Sequence, residues 1–135
     1  MIIDMHTHTF PDHIAGYALA GMEQEILEKR GYAYHVRGTG TRDALSTSTI
    51  QNGLDLSVVI PVATRPTQSA SINRFAYETN SRWEQTRVFS FGAIHPDNED
   101  YKEILQDVKA RGLKGIKLHP DYQQVPFDDV RYLHI

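Results

Sequence analysis

Two histidines separated by one residue stand near the start of the chain, in the stretch DMHTHTF at 4–10. If this stretch is extended, His6 and His8 lie on the same face with their Cα atoms about 6.6 to 7 Å apart. Two imidazole nitrogens at that separation can converge on one cation at the ~2.0 to 2.1 Å that zinc requires. The spacing predicts half of a metal site. The alternative is a pair of structural histidines that are hydrogen-bonded within the fold.

Two further histidines share a local motif. FGAIHPD at 91–97 and GIKLHPD at 115–121 each end an apolar run with His-Pro-Asp, so His95 and His119 are predicted to occupy equivalent positions. Both would stand at the carboxyl ends of strands, where ligands bind in α/β folds. His95 either lines the same pocket or binds backbone atoms beside Pro96.

Two cations are candidate substrate-binding residues. Lys117 stands two residues before His119 and therefore on the same face of a strand, where it either binds substrate or pairs with a nearby carboxylate. Arg65 follows the second apolar run and is either a clamp for an anionic group or an ordinary surface arginine.

The amino-acid composition excludes several kinds of catalytic and binding site. The 135 residues include no cysteine, so disulfides, thiolate catalysis and cysteine-based zinc sites are excluded, and any metal must bind histidine or carboxylate. The net charge is -3 and no cluster of Lys/Arg residues is present, so the sequence does not predict a positively charged surface for nucleic acid or anionic lipid. We expect a cytoplasmic protein without a membrane span or signal peptide, acting on a small molecule.

Apolar runs alternate with helical patterns along the whole chain. We expect one domain over residues 1–135, with strands near 2–6, 57–62, 88–94 and 115–119. Helices are predicted from Pro11 to Gly31, from Thr41 to about Asn52, from Ser69 to Trp83 and from Asn98 to Arg111, and the first turns of another follow Asp128 or Asp129. Such alternation indicates a parallel sheet with helices outside it, whose strands present ligand-binding residues at their carboxyl ends.

Four segments carry a resemblance to a known family: DMHTHTFPD, GLDLSVVIPVAT, FSFGAIHPD and GLKGIKLHPDYQ. They resemble the amidohydrolase superfamily, and within it the amidohydrolase-related branch that includes aminocarboxymuconate-semialdehyde decarboxylase-like enzymes. The resemblance implies a (β/α)8 barrel and a divalent metal, usually zinc, on His6 and His8. It places His119 at the end of strand four, near the metal, and makes it a better candidate than His95 for a catalytic residue that donates a hydrogen bond to a developing oxyanion or a substrate carboxylate. Lysines of strand four are carbamylated in binuclear relatives, whereas this branch resembles the mononuclear members.

The resemblance also implies residues that this chain does not contain. Further ligands and catalytic groups of the family come from strands five, six and eight, and no residue here matches the general base. We therefore expect the N-terminal half of a (β/α)8 barrel, with about four parallel strands and outer helices. The partner of such a half would be a second copy of the chain or the C-terminal half of the barrel.

The implied function is that of a metal-dependent hydrolase, in which metal-activated water attacks a small carbonyl or carboxylate substrate. One alternative is metal-dependent, non-oxidative decarboxylation within the same superfamily. The other is a truncated, catalytically incompetent chain that only oligomerises. A nucleotide-binding, doubly wound domain fits the alternation of elements but lacks a Gly-rich loop after the first strand.

Overall fold

Five short parallel strands and seven helices form the fold in a computed structural model that describes residues 1–135. The strands are β1 Ile3–Thr7, β2 Leu56–Val59, β3 Val88–Ser90, β4 Gly92–Ala93 and β5 Ile116–Lys117. The helices are α1 Asp12–Arg30, α2 Arg42–Gln51, α3 Ser69–Asn80, α4 Trp83–Thr86, α5 Tyr101–Ala110, α6 Pro120–Gln123 and α7 Val130–His134. None of them combines the length and the apolar composition that crossing a membrane requires.

The strands form two sheets, so the predicted half barrel with four parallel strands is wrong. β1, β2 and β3 make one parallel sheet in that order, and β4 and β5 make a second one. The predicted strand at 88–94 is divided at Phe91. The backbone N–H of Phe91 donates to the Val59 carbonyl, whereas that of Gly92 donates to the Gly115 carbonyl, so the chain exchanges β2 for β5 as its partner.

Close approach of other groups accompanies this division. A Cβ at Gly92 would lie 2.9 Å from Oδ1 of Asn73 in α3, and a Cβ at Gly115 would lie 3.0 Å from the Phe91 ring. Glycine at both positions lets the helix and the ring reach the backbone of the second sheet. A run of apolar residues predicts a buried strand, but it does not indicate that the strand changes its pairing partner partway along.

Helix boundaries follow the predicted caps closely for α1 and α2. Gly31 ends α1 in the left-handed conformation, with φ 73°, and its N–H donates to the Leu27 carbonyl. Thr41 precedes α2, and its hydroxyl accepts the N–H of Ala44. The predicted helix at 69–83 ends earlier, at Asn80, and Trp83 instead begins α4.

The core is small, and many of its apolar residues lie in β2, β3 and β4 or directly after these strands. Only 25 of the 135 residues are buried. Ala76 of α3, Val108 of α5 and Leu113 pack together as one apolar cluster. β1 lies outside this core, since four of its five residues are exposed. It pairs only with β2, so it is an edge strand with Ile3 and Met5 open to solvent.

Candidate metal centre

The histidine pair lies at the carboxyl end of β1, where exposed and buried residues alternate. His6 and His8 are exposed, whereas Thr7 and Thr9 are buried. The Thr7 hydroxyl donates to the Val58 carbonyl at 2.8 Å, which anchors the residue between the two histidines to β2. Period-two alternation therefore presents both imidazoles on one side of the strand end, as the spacing predicts.

The two rings are close but are not coplanar. Their centroids are 5.1 Å apart and their planes make an angle of 69°. Asp4 lies just before them, and its carboxylate accepts the backbone N–H of His6 at 3.0 Å. Asp4 therefore stabilises the backbone that carries the first histidine. The register between β1 and β2 shifts between Asp4 and Thr7, so the chain bulges where the pair begins.

His8 is electrostatically linked to residues at the end of β5. Its pKa is lowered from 6.5, chiefly because neighbouring residues partly remove the ring from water, and further by electrostatic interaction with His6, Lys117 and His119. The structure thus brings together four of the predicted site residues. A histidine with a lowered pKa is mostly neutral at neutral pH, which is the form that binds a metal.

His119 is fixed by the start of α6. It is the N-cap residue of that helix, and its Nδ1 accepts the N–H of Tyr122 at 3.4 Å. The Tyr122 ring lies against the imidazole, with 4.5 Å between ring centroids. Because an accepting Nδ1 carries no proton, the neutral ring has its proton on Nε2, which donates no hydrogen bond within the chain.

His95 occupies the corresponding position after β4 but differs in its surroundings. Only 4% of the residue is exposed. Its Nδ1 accepts the N–H of Asp97 at 3.1 Å. Burial lowers its pKa, while the Asp97 carboxylate acts in the opposite direction. The ring thus binds a backbone group of the loop beside Pro96, as in the backbone-binding alternative.

The two candidate substrate-binding cations are placed differently. Lys117 is half-buried in β5, and its ammonium group forms no ion pair, so the alternative of a pairing carboxylate is not seen. Arg65 is exposed in the turn before Pro66. Its backbone N–H donates to Oε1 of Gln68, and its guanidinium group has no hydrogen-bond partner.

Gln123 is a residue of this region that the sequence analysis missed. Its buried carboxamide donates from Nε2 to the carbonyls of Ala63 and Ile94, at 3.0 and 2.8 Å. Its Oε1 accepts from the N–H of His119 and the hydroxyl of Tyr132, both at 2.9 Å. One signal was present: Pro120 is typical of a first helical turn, which would place a glutamine one turn after His119.

The histidine pair offers two donors of the kind that zinc binds. No group of three or more histidine, aspartate or glutamate residues lies close enough together to hold a metal ion. Zinc sites ordinarily use three or four protein ligands, so this donor set is partial. Two surface clefts, one beside α5 and one beside α1, include none of the predicted site residues in their lining.

Comparisons of the chain with protein-family models, curated proteins and solved structures give no match.

Proposed function

We propose that the chain binds a divalent metal, zinc in the first instance, through His6 and His8 and acts as a metal-dependent hydrolase of the amidohydrolase type. One observation carries the proposal: two imidazoles lie at a strand end with 5.1 Å between their ring centroids, next to Lys117 and His119. A bound zinc ion would supply Lewis acidity and an activated water for attack on a carbonyl group.

The hydrogen bond of His119 favours the tautomer of the neutral ring that can assist such an attack. Its Nδ1 accepts from Tyr122, so Nε2 carries a proton and is free to donate to a substrate oxygen. Donation to an oxygen that becomes negatively charged is stronger in the transition state than in the ground state. We therefore assign His119 the stabilisation of the oxyanion.

Lys117 makes an anionic substrate the best fit. A half-buried ammonium group without an ion pair beside two imidazoles would attract a carboxylate. We infer a small ester or amide that bears a carboxylate near the carbonyl group. Arg65 is a further candidate for binding that carboxylate because its guanidinium group is also unpaired, whereas His95 is buried and its Nδ1 accepts a backbone N–H.

Hydrolysis of two matched esters tests the function. The probes are mono-para-nitrophenyl succinate, which bears a carboxylate, and para-nitrophenyl acetate, which does not. We expect zinc-dependent hydrolysis that a chelator abolishes, with a lower KM for the succinate ester. Lys117→Met should raise that KM about tenfold and leave the KM of the acetate ester unchanged, since only the succinate ester carries the charge.

The outcomes separate the proposed chemistry from its alternatives. Equal rates with and without zinc would contradict a metal-dependent hydrolase. An equal rise in both KM values for Lys117→Met would contradict recognition of the carboxylate. Release of carbon dioxide from an unsaturated carboxylic acid, without ester hydrolysis, would favour decarboxylation instead.

A further inference from the structure

We infer that Gln123 is a positioning residue that fixes His119 against the carboxyl ends of the neighbouring strands. The inference rests on the proposed function for the catalytic role of His119, but the geometry of Gln123 stands without it. A carboxamide offers two donors and two accepting lone pairs, and Gln123 uses all four within the chain. A buried side chain whose hydrogen-bonding groups are all paired makes the residues around it more rigid.

Gln123 holds the peptide groups of His119 from two sides. Its side-chain Oε1 accepts the N–H of His119, and its own backbone N–H donates to the His119 carbonyl at 2.9 Å. The backbone of His119 therefore has both polar groups bound by a single residue. With the backbone fixed, the ring keeps its Nδ1 on the N–H of Tyr122 and its proton on Nε2.

The amide nitrogen of Gln123 fixes the position of the His119 segment relative to the neighbouring strands. Its Nε2 binds the Ala63 carbonyl, beyond β2, and the Ile94 carbonyl, directly after β4. His119 itself follows β5. Gln123 thus connects the ends of three strands from two sheets that share no ladder, and it fixes His119 relative to both.

Asn80 provides a matched control in the same chain. Its carboxamide also bridges a helix to a strand, with Oδ1 accepting the N–H of Ser90 at 2.6 Å and Nδ2 donating to the Ser90 carbonyl at 2.9 Å. It does not contact His119. Gln123→Met and Asn80→Leu therefore each remove one bridging carboxamide, and only the first one touches the proposed site.

The test is nuclear magnetic resonance of the metal-free full chain, with amide exchange and histidine ring ¹⁵N shifts as readouts. After correction for global stability, Gln123→Met should speed exchange of the His119 amide about tenfold and move its ring ¹⁵N shifts toward a mixture of tautomers. Asn80→Leu should speed exchange of the Ser90 amide and leave the His119 ring shifts unchanged. Both readouts are independent of zinc and of any substrate.

A second variant guards against loss of folding in the first. Gln123→Glu keeps an oxygen acceptor for the His119 N–H but loses donors to Ala63 and Ile94, so it should retain slow exchange at His119 while lowering the denaturation midpoint. Uniformly faster exchange with unchanged His119 ring shifts in Gln123→Met would overturn the inference, as would loss of His119 protection in Gln123→Glu with the fold intact. Failure of ester hydrolysis would contradict the proposed function and leave this result standing.

Discussion

At the scale of single residues, spacing predicted the presentation of the histidine pair but not the partners of the other candidates. His6 and His8 share a side of the strand end because alternation in an extended chain is a local property. The Nδ1 atoms of His95 and His119 accept backbone N–H groups two and three residues further along the chain. These hydrogen bonds therefore depend on the conformation of each loop. The same His-Pro-Asp motif therefore yields one buried histidine and one half-buried histidine.

The buried state of His95 predicts how stability depends on pH. Its pKa is lowered below 6.5 in the folded chain, chiefly by burial, so the folded state binds fewer protons than the unfolded state as the pH falls through this region. The free energy of unfolding should be fully developed above about pH 6.5 and should decrease toward lower pH. Denaturant unfolding at about pH 8, 7, 6 and 5 measures this dependence.

Substitution of His95 identifies the group responsible. His95→Gln should lower stability at about pH 8 and make the decrease toward about pH 5 shallower, since the titrating ring is gone. His13→Gln is the control, because His13 is exposed on α1. An unchanged slope in His95→Gln would show that other groups, His8 among them, produce the pH dependence.

At the scale of elements, the sequence indicated most helices and the positions of the strands, but it did not indicate how the strands pair. Caps are local, so Thr41 and Gly31 mark helix ends reliably. The division at Phe91 is accompanied by the approach of Asn73 in α3 to Gly92, a contact that no local pattern encodes. The prediction of a single sheet is wrong at Phe91, after which the second sheet begins.

Alanine at Gly92 tests the close approach between α3 and β4. Asn73 is buried, and its Oδ1 already accepts the N–H of Ala93 at 2.8 Å, so the side chain cannot retreat without losing that bond. Gly92→Ala should reduce the free energy of unfolding by about 1 to 3 kcal/mol. Chemical denaturation is the measurement.

The matched control for this change is a glycine with open space around it. A Cβ at Gly16 in α1 would meet nothing within 4 Å. Gly16→Ala should therefore stabilise the chain by up to about 1 kcal/mol, because alanine is the better helix former. Stabilisation by Gly92→Ala as well would show that α3 does not constrain β4.

At the scale of the whole molecule, the edge position of β1 leaves apolar side chains in water. Ile2, Ile3 and Met5 are 62%, 38% and 55% exposed, and β1 has a strand partner on one side only. An open apolar edge favours pairing with another strand. We expect the chain to form dimers or larger assemblies through β1, as sedimentation equilibrium would detect.

A charge on this edge tests the assembly. Met5→Lys should shift the mass in solution toward that of one chain, because a buried lysine at a pairing edge is unfavourable. Tyr17→Lys provides a control, since Tyr17 is 88% exposed on α1, away from the edge. A wild-type chain that sediments as a monomer at all concentrations would contradict the expectation.

Equilibrium dialysis followed by elemental analysis measures zinc binding by the histidine pair most directly. We expect about one zinc ion for each His6–His8 pair in the wild-type chain, and a fall in affinity of at least about tenfold in both His6→Ala and His8→Ala. His13→Ala, the control, should bind as the wild type does. Equal zinc binding by all four proteins, or none by the wild type, would show that this pair is not a zinc site.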